Sequence, residues 1–236
     1  MKSKTIAVFG IGIIGIAGLA WQFATPDRIR FWRWNYSSDA AYAQAQVRIA
    51  DMKGSLSFYN LPALDRIPPE IDRLNDLKDT YFLGGTDVSD IAPLAALTRA
   101  FHVDLSDTPV ADIRPLAAMT GLGILELRNT AVTDISVLAG LTDLRNLSLK
   151  GTEVTDLTPL AGLPLLMFVD ISNTKITDIG PLGGLTELQY LFLSGTQVTD
   201  ISALAGSTTL RQLVLTGSAV TDVSPLAGLT DLQIIR

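Results

Sequence analysis

From Leu141 to Gly162 the apolar positions fall at Leu141, Leu144, Leu147, Leu149, Val154, Leu157 and Leu160, with polar or small residues between them, and the same order returns from Leu163 and from Leu185. Thr130, Thr152, Thr174 and Thr196 stand 22 residues apart, and the frame carries back to Thr108 and Thr86 and forward to Ser218. Self-similarity at this period predicts a stacked repeat in which no single unit can bury its own apolar face. The alternation Leu147-Ser148-Leu149 predicts a short strand with both leucines inward and Ser148 outward. Stacked copies then lay their strands side by side in a parallel sheet on a concave face. Before each threonine or serine of the column stands Gly85, Asp107, Asn129, Gly151, Asn173, Gly195 or Gly217. All are residue types that tolerate positive φ, so the chain is expected to turn sharply out of each strand there.

Two polar columns repeat with the leucines. Thr86, Thr108, Thr130, Thr152, Thr174, Thr196 and Ser218 form a hydroxyl ladder, expected to donate to the backbone carbonyl of a neighbouring repeat. Asp90, Asp112, Asp134, Asp156, Asp178, Asp200 and Asp222 invite a calcium reading. A calcium loop needs several oxygen ligands converging in one turn, whereas these acids come once per repeat. Each is followed by Ile, Leu or Val, a variable residue and usually Pro, which predicts a short helical turn whose free N–H groups the aspartate caps. Leu94, Leu116, Leu138, Leu160, Leu182, Leu204 and Leu226 close these turns, and small pairs such as Ala161-Gly162 follow.

The resulting pattern, L-x-x-L-x-x-L-x-L-x-x-T-x-V-x-D-I-x-P-L-A-G, resembles the leucine-rich-repeat family over about residues 56–236. Its period and D-I-x-P-L segment are most similar to the bacterial internalin-type repeats. The resemblance implies an α/β solenoid, a leucine-rich-repeat horseshoe with a parallel concave sheet and a convex side of 3-10 helices and turns. It also implies a protein-binding module, not an enzyme, that needs no cofactor. The threonine column stands where the family usually has asparagine. One donor then replaces two, and a less fully bonded ladder is expected.

Residues 56–236 divide into one divergent repeat, seven regular repeats and a partial last one that stops at Ile235-Arg236 as a further strand begins. Residues 37–55 hold good helix formers from Ser38 to Met52, with Ser38 as N-cap, and are expected to form a helix that caps the stack. No comparable cap follows Arg236, so a scaffold that self-associates through this edge is the alternative reading.

Residues 1–36 are different in kind. Thr5 to Ala24 carries no charge, and about 20 residues of helix span about 30 Å, the depth of a bilayer core. Trp21, Phe23, Phe31, Trp32, Trp34 and Tyr36 among arginines match an interfacial belt. A single-pass N-terminal anchor displaying an extracytoplasmic solenoid is expected, with secretion after signal cleavage near Gly18-Leu19-Ala20 as the alternative. Gly10-x-Gly12-x-x-Gly15 after an apolar run mimics a dinucleotide-binding turn, the remote oxidoreductase reading. No second strand with a ribose-binding acid follows, and glycines that allow close packing of a membrane helix explain the run better.

Charge sharpens the partner. The whole chain stands at −6, and Lys2, Lys4, Arg28, Arg30 and Arg33 against Asp27 place +4 before residue 37, so the remainder is at −10. An acidic body repels phosphate, which argues against nucleic acid. With no Cys and with His102 as the one histidine, thiolate chemistry and Cys-based metal sites are excluded. If strand side chains alternate, Thr80, His102, Ile124, Asn146, Phe168, Tyr190 and Gln212 make one outward row, beside Phe82, Asp104, Glu126, Ser148, Asp170, Phe192 and Val214. The expected site joins an acidic zone of Asp104, Glu126 and Asp170, with His102, to an aromatic cluster of Phe168, Tyr190 and Phe192. A protein or glycan ligand suits it.

Overall fold

Each repeat contributes one short strand and one 3-10 helix, because the apolar spacing changes from alternation around Leu147-Leu149 to a compact turn closed by Leu160. The computed structural model describes residues 37–50, 56–74 and 80–236. The apolar run 5–24 and Gly10-x-Gly12-x-x-Gly15 lie outside them. Helix α1 spans Ser38–Ala50. The strands are β1 (Leu56–Ser57), β2 (Thr80–Phe82), β3 (His102–Asp104), β4 (Ile124–Glu126), β5 (Asn146–Ser148), β6 (Phe168–Asp170), β7 (Tyr190–Phe192), β8 (Gln212–Val214) and β9 (Gln233–Ile235). They pair in sequence order as one parallel nine-stranded sheet. The 3-10 helices recur opposite the strands, from Pro69–Leu74 to Ser224–Leu226. This is the expected leucine-rich-repeat solenoid.

The core is the inward column of that sheet. Val103, Leu125, Leu147, Val169, Leu191 and Leu213 are each fully buried at the centre of a strand, and the residues two further on, such as Leu105, Leu127 and Leu149, lie behind them. Truncating one such leucine to alanine costs about 2–5 kcal/mol, since the stacked neighbours cannot collapse into the space. At the N-terminal end α1 buries Ala41, Ala45 and Ile49, one residue per turn on a single face. Arg48 Nη1 donates to the carbonyls of Ser57 (2.6 Å) and Tyr59 (3.0 Å), tying the helix to the end of β1.

The turn column behaves as its residue types require. Gly85, Asp107, Asn129, Gly151, Asn173, Gly195 and Gly217 all have φ between 54° and 74°. Asn60 at 72° gives the divergent first repeat the same turn. At Gly151 a second constraint operates, because an added Cβ would run into Asn129 Oδ1 of the preceding repeat. Asn129 itself donates through Nδ2 to Asp107 Oδ1 at 2.7 Å, so the side chains of this column also touch along the stack.

The hydroxyl ladder corrects one expectation. Thr86, Thr108, Thr130, Thr152, Thr174 and Thr196 donate not to a neighbouring repeat but to the carbonyl three residues back in their own, from Leu83 to Leu193, at 2.6–2.7 Å. At this turn the bond to the next repeat comes instead from the backbone N–H of the positive-φ residue. Gly85, Asn129 and Gly151 donate to the carbonyls of Ser106, Lys150 and Ser172, each at 2.8 Å. The threonine holds the turn in the shape that aims this N–H at the next repeat. The aspartates serve the start of each helix from one position ahead of the N-cap, which is Ile, Leu or Val: Oδ1 of Asp90, Asp112, Asp134, Asp156, Asp178, Asp200 and Asp222 each accepts the N–H two residues on, at 2.7–2.9 Å. That N–H belongs to the first residue of the 3-10 helix.

The expected single-pass anchor needs correction. Among the described residues no helix is long and apolar enough to cross a membrane. The α-helix they contain, α1, has 13 residues with Asp39 and Arg48 at its two ends. Thirteen residues reach about 20 Å, short of the roughly 30 Å of a bilayer core.

Candidate binding face

Alternation in three-residue strands turns the first and third residues outward, and in-register pairing lines them up. His102, Ile124, Asn146, Phe168, Tyr190 and Gln212 are successive partners in one row, and the backbone of Thr80 pairs with that of His102. Phe82, Asp104, Glu126, Ser148, Asp170, Phe192 and Val214 are successive partners in the other. Three carboxylates and no lysine or arginine stand in these two rows.

Phe168, Tyr190 and Phe192 meet on β6 and β7. The Phe168 ring lies 5.1 Å from Phe192 and 6.5 Å from Tyr190, centroid to centroid, in tilted contacts. These spacings are within the range of attractive ring pairing. Tyr190 is nonetheless 39% exposed, so the cluster presents an unburied apolar surface. A second aromatic contact lies on β2 and β3, where the edge of His102 meets Phe82 at 5.0 Å and 78°.

The acidic residues are less free than their spacing suggests. Glu126 Oε1 lies 3.2 Å from His102 Nε2. That hydrogen bond, more than any other influence, holds the Glu126 carboxyl below its ordinary value, so it is ionised at neutral pH. Asp104 and Asp170 each accept a backbone N–H two residues on through Oδ1, from Ser106 (2.8 Å) and Ser172 (2.9 Å). These turn bonds are a second, structural use of side chains that sequence spacing presents only as surface charge. The aspartate itself, short enough to reach the N–H two residues on, is the signal for them.

Between the acidic and aromatic zones lies a depression of about 270 Å³ lined by Ile124, Glu126, Asn146, Ser148, Phe168 and Asp170. It exists because Asn146 and Ser148 of β5 are short between bulkier residues on β4 and β6. Composition alone lists these residues in their rows but does not show that they enclose a space. Of the expected site residues, Glu126, Phe168 and Asp170 border the depression, Tyr190 and Phe192 extend its aromatic side, and His102 buttresses Glu126. Asp104 stands further along the row, on β3. Among the described residues no group of three or more His, Asp or Glu side chains is placed to hold a metal ion.

The model of leucine-rich repeats, two copies, matches residues 168–206. No curated protein matches the chain in sequence. The fold is similar to the crystal structure of internalin C2 from Listeria monocytogenes, with a TM-score of 0.74, 29% identity, and coverage of 82% of this chain and 91% of that one. A leucine-rich-repeat protein of Leptospira interrogans matches with a TM-score of 0.66 and 20% identity over 77% of this chain and 51% of its own. A plant peptide hormone receptor, RGFR1, solved in complex with RGF2, matches with a TM-score of 0.58 and 17% identity over 72% of this chain and 30% of its own.

Proposed function

Since the chain is a leucine-rich-repeat protein with an internalin-like solenoid, we propose that it is a binding module that holds a protein partner against its sheet face. The observation that carries this reading is the contiguous aromatic surface of Phe168, Tyr190 and Phe192 beside the Glu126 and Asp170 carboxylates. Exposed aromatics that touch one another and border charged groups resemble the centre of an interface, where a few such residues carry most of the affinity. Scaffold needs do not explain them, because the threonine, aspartate and leucine columns already account for the fold. The plant receptor of the same fold was solved with a bound partner, RGF2.

The same face is read as non-catalytic. His102 is engaged by Glu126 on one side and by the Phe82 ring on the other, and its side chain is only 16% exposed. A general base has to reach a substrate proton, and this ring is spent on orienting a carboxylate.

Quantitative capture with the full chain and with Tyr190→Ala plus Phe192→Ala tests the proposal. Both side chains point away from the core, so circular dichroism should be unchanged. A specific partner should bind the double variant about 30-fold or more weakly, the expected loss for two central aromatics. Equal capture by both proteins would remove the assigned face.

A further inference from the structure

The depression over β4, β5 and β6 has walls of different chemistry. Glu126 stands at one end and Asp170 at the other, with Ser148 between them in the same row. At about 4.8 Å between adjacent strands, their backbones are about 10 Å apart. One oxygen of each carboxylate is committed, Glu126 Oε1 to His102 and Asp170 Oδ1 to the Ser172 N–H. Among the described residues neither Glu126 Oε2 nor Asp170 Oδ2 has a hydrogen-bond partner. Phe168 walls the side toward β7, and its ring is steadied by Phe192 and Tyr190.

The cations nearby do not line this space. Arg128 Nη2 is turned to Asp107 Oδ2 at 3.2 Å, and Arg145 and Lys150 stand just outside the two ends of β5. The depression therefore has two anionic ends, an aromatic wall and room for several waters' worth of side chain.

Resting on the reading of this face as partner-binding, we propose that the depression between Glu126 and Asp170 seats one arginine side chain of the protein partner, its guanidinium spanning the two carboxylates against the Phe168 ring. A guanidinium is flat, so it stacks on an aromatic ring, and its donors point to both sides, so one group serves two carboxylates. A lysine ammonium is a compact, strongly hydrated point charge and gains from one carboxylate at a time. The hydrogen bond from His102 to Glu126 and the turn bond from Ser172 to Asp170 fix the receiving groups before binding, which lowers the ordering cost.

The test is a titration of the full-length, isotopically labelled chain with N-acetyl-arginine amide, N-acetyl-lysine amide and N-acetyl-citrulline amide, followed by amide chemical shifts. Citrulline keeps the shape of arginine and removes the charge. The arginine probe should shift the amides of Glu126, Ser148 and Asp170 saturably, about fivefold or more tightly than lysine, with no saturation by citrulline. Glu126→Gln with Asp170→Asn should weaken the arginine probe by about tenfold. Both replacements keep an oxygen to accept from His102 and from the Ser172 N–H, so the spectrum should otherwise be preserved. Shifts equal for arginine and citrulline, equal for arginine and lysine, or unchanged in the double variant would each overturn the proposal. None of those results touches the Tyr190 and Phe192 test, so loss of the arginine seat and loss of the binding face are distinguishable.

Discussion

Ser218 and Thr152 occupy the same column, yet only one of them works as the column does. Thr152 is buried, and its hydroxyl donates to the Leu149 carbonyl at 2.7 Å, which its own N–H also reaches at 3.1 Å. Ser218 keeps the N–H bond to Leu215 at 2.9 Å, but its buried Oγ has no hydrogen-bond partner among the described residues. Thr152→Val should therefore lower stability by about 1 kcal/mol, and Ser218→Ala should change it by less than about 0.5 kcal/mol, in urea unfolding followed by circular dichroism. Equal losses would mean that the column acts through shape and not through the hydroxyl. The column itself was legible from spacing, because each buried hydroxyl needs a partner. Its acceptor was not, because the choice between an own-turn and a neighbouring carbonyl depends on how tightly the positive-φ residue folds the chain back.

At the scale of the element, the last strand departs from the period. From β2 to β8 partners are 22 residues apart, but Gln212 pairs with Gln233 and Val214 with Ile235, 21 apart. The 22-residue frame would turn Ile235 inward with Leu213. Instead Ile234 partners Leu213, and Ile235 is outward and 36% exposed. A one-residue slip exchanges the two faces of a strand, and a pair of consecutive isoleucines offers an apolar side chain inward in either register. Ile234→Asp should thus destabilise the C-terminal repeat by about 1 kcal/mol or more beyond Ile235→Asp, because only the first turns a charge inward, at a half-buried position. Thermal melts of the two variants decide it, and the opposite order would restore the 22-residue register. At the other end, α1 is proposed to act with the remainder of residues 37–55 as the cap of the stack. Its buried Ala41, Ala45 and Ile49 face support this, and its good helix formers are visible in sequence.

Over the whole solenoid five of the aspartates act together. Asp112 is held at about 2, against an ordinary 3.8, by hydrogen bonds from the Arg114 guanidinium and then from its N–H. Asp134, Asp200 and Asp222 are lowered first by the N–H and then by the hydroxyl of Ser136, Ser202 and Ser224, and Asp156 first by the hydroxyl and then by the N–H of Thr158. A carboxyl whose folded value is depressed stabilises the fold fully above its ordinary value, and the contribution disappears as pH falls through the folded value. The melting temperature should hold steady above about pH 5 and fall between about pH 4 and pH 2, more shallowly in high salt because these groups are exposed. A flat melting temperature down to pH 2 would show that the caps contribute no net stability. Sequence by itself determined the repeat, the strands, the positive-φ turns, the capping aspartates and the two outward rows. Each of these follows from local sterics and a strict period repeated seven times. Only the tertiary structure decided that Asp104 and Asp170 are bonded to their own turns, that Glu126 is held by His102, that β9 slips by one residue, and that Asn146 and Ser148 open a depression between Glu126, Phe168 and Asp170. Those facts depend on the depth and direction of side chains from different repeats meeting across the sheet, which a period along the chain does not encode.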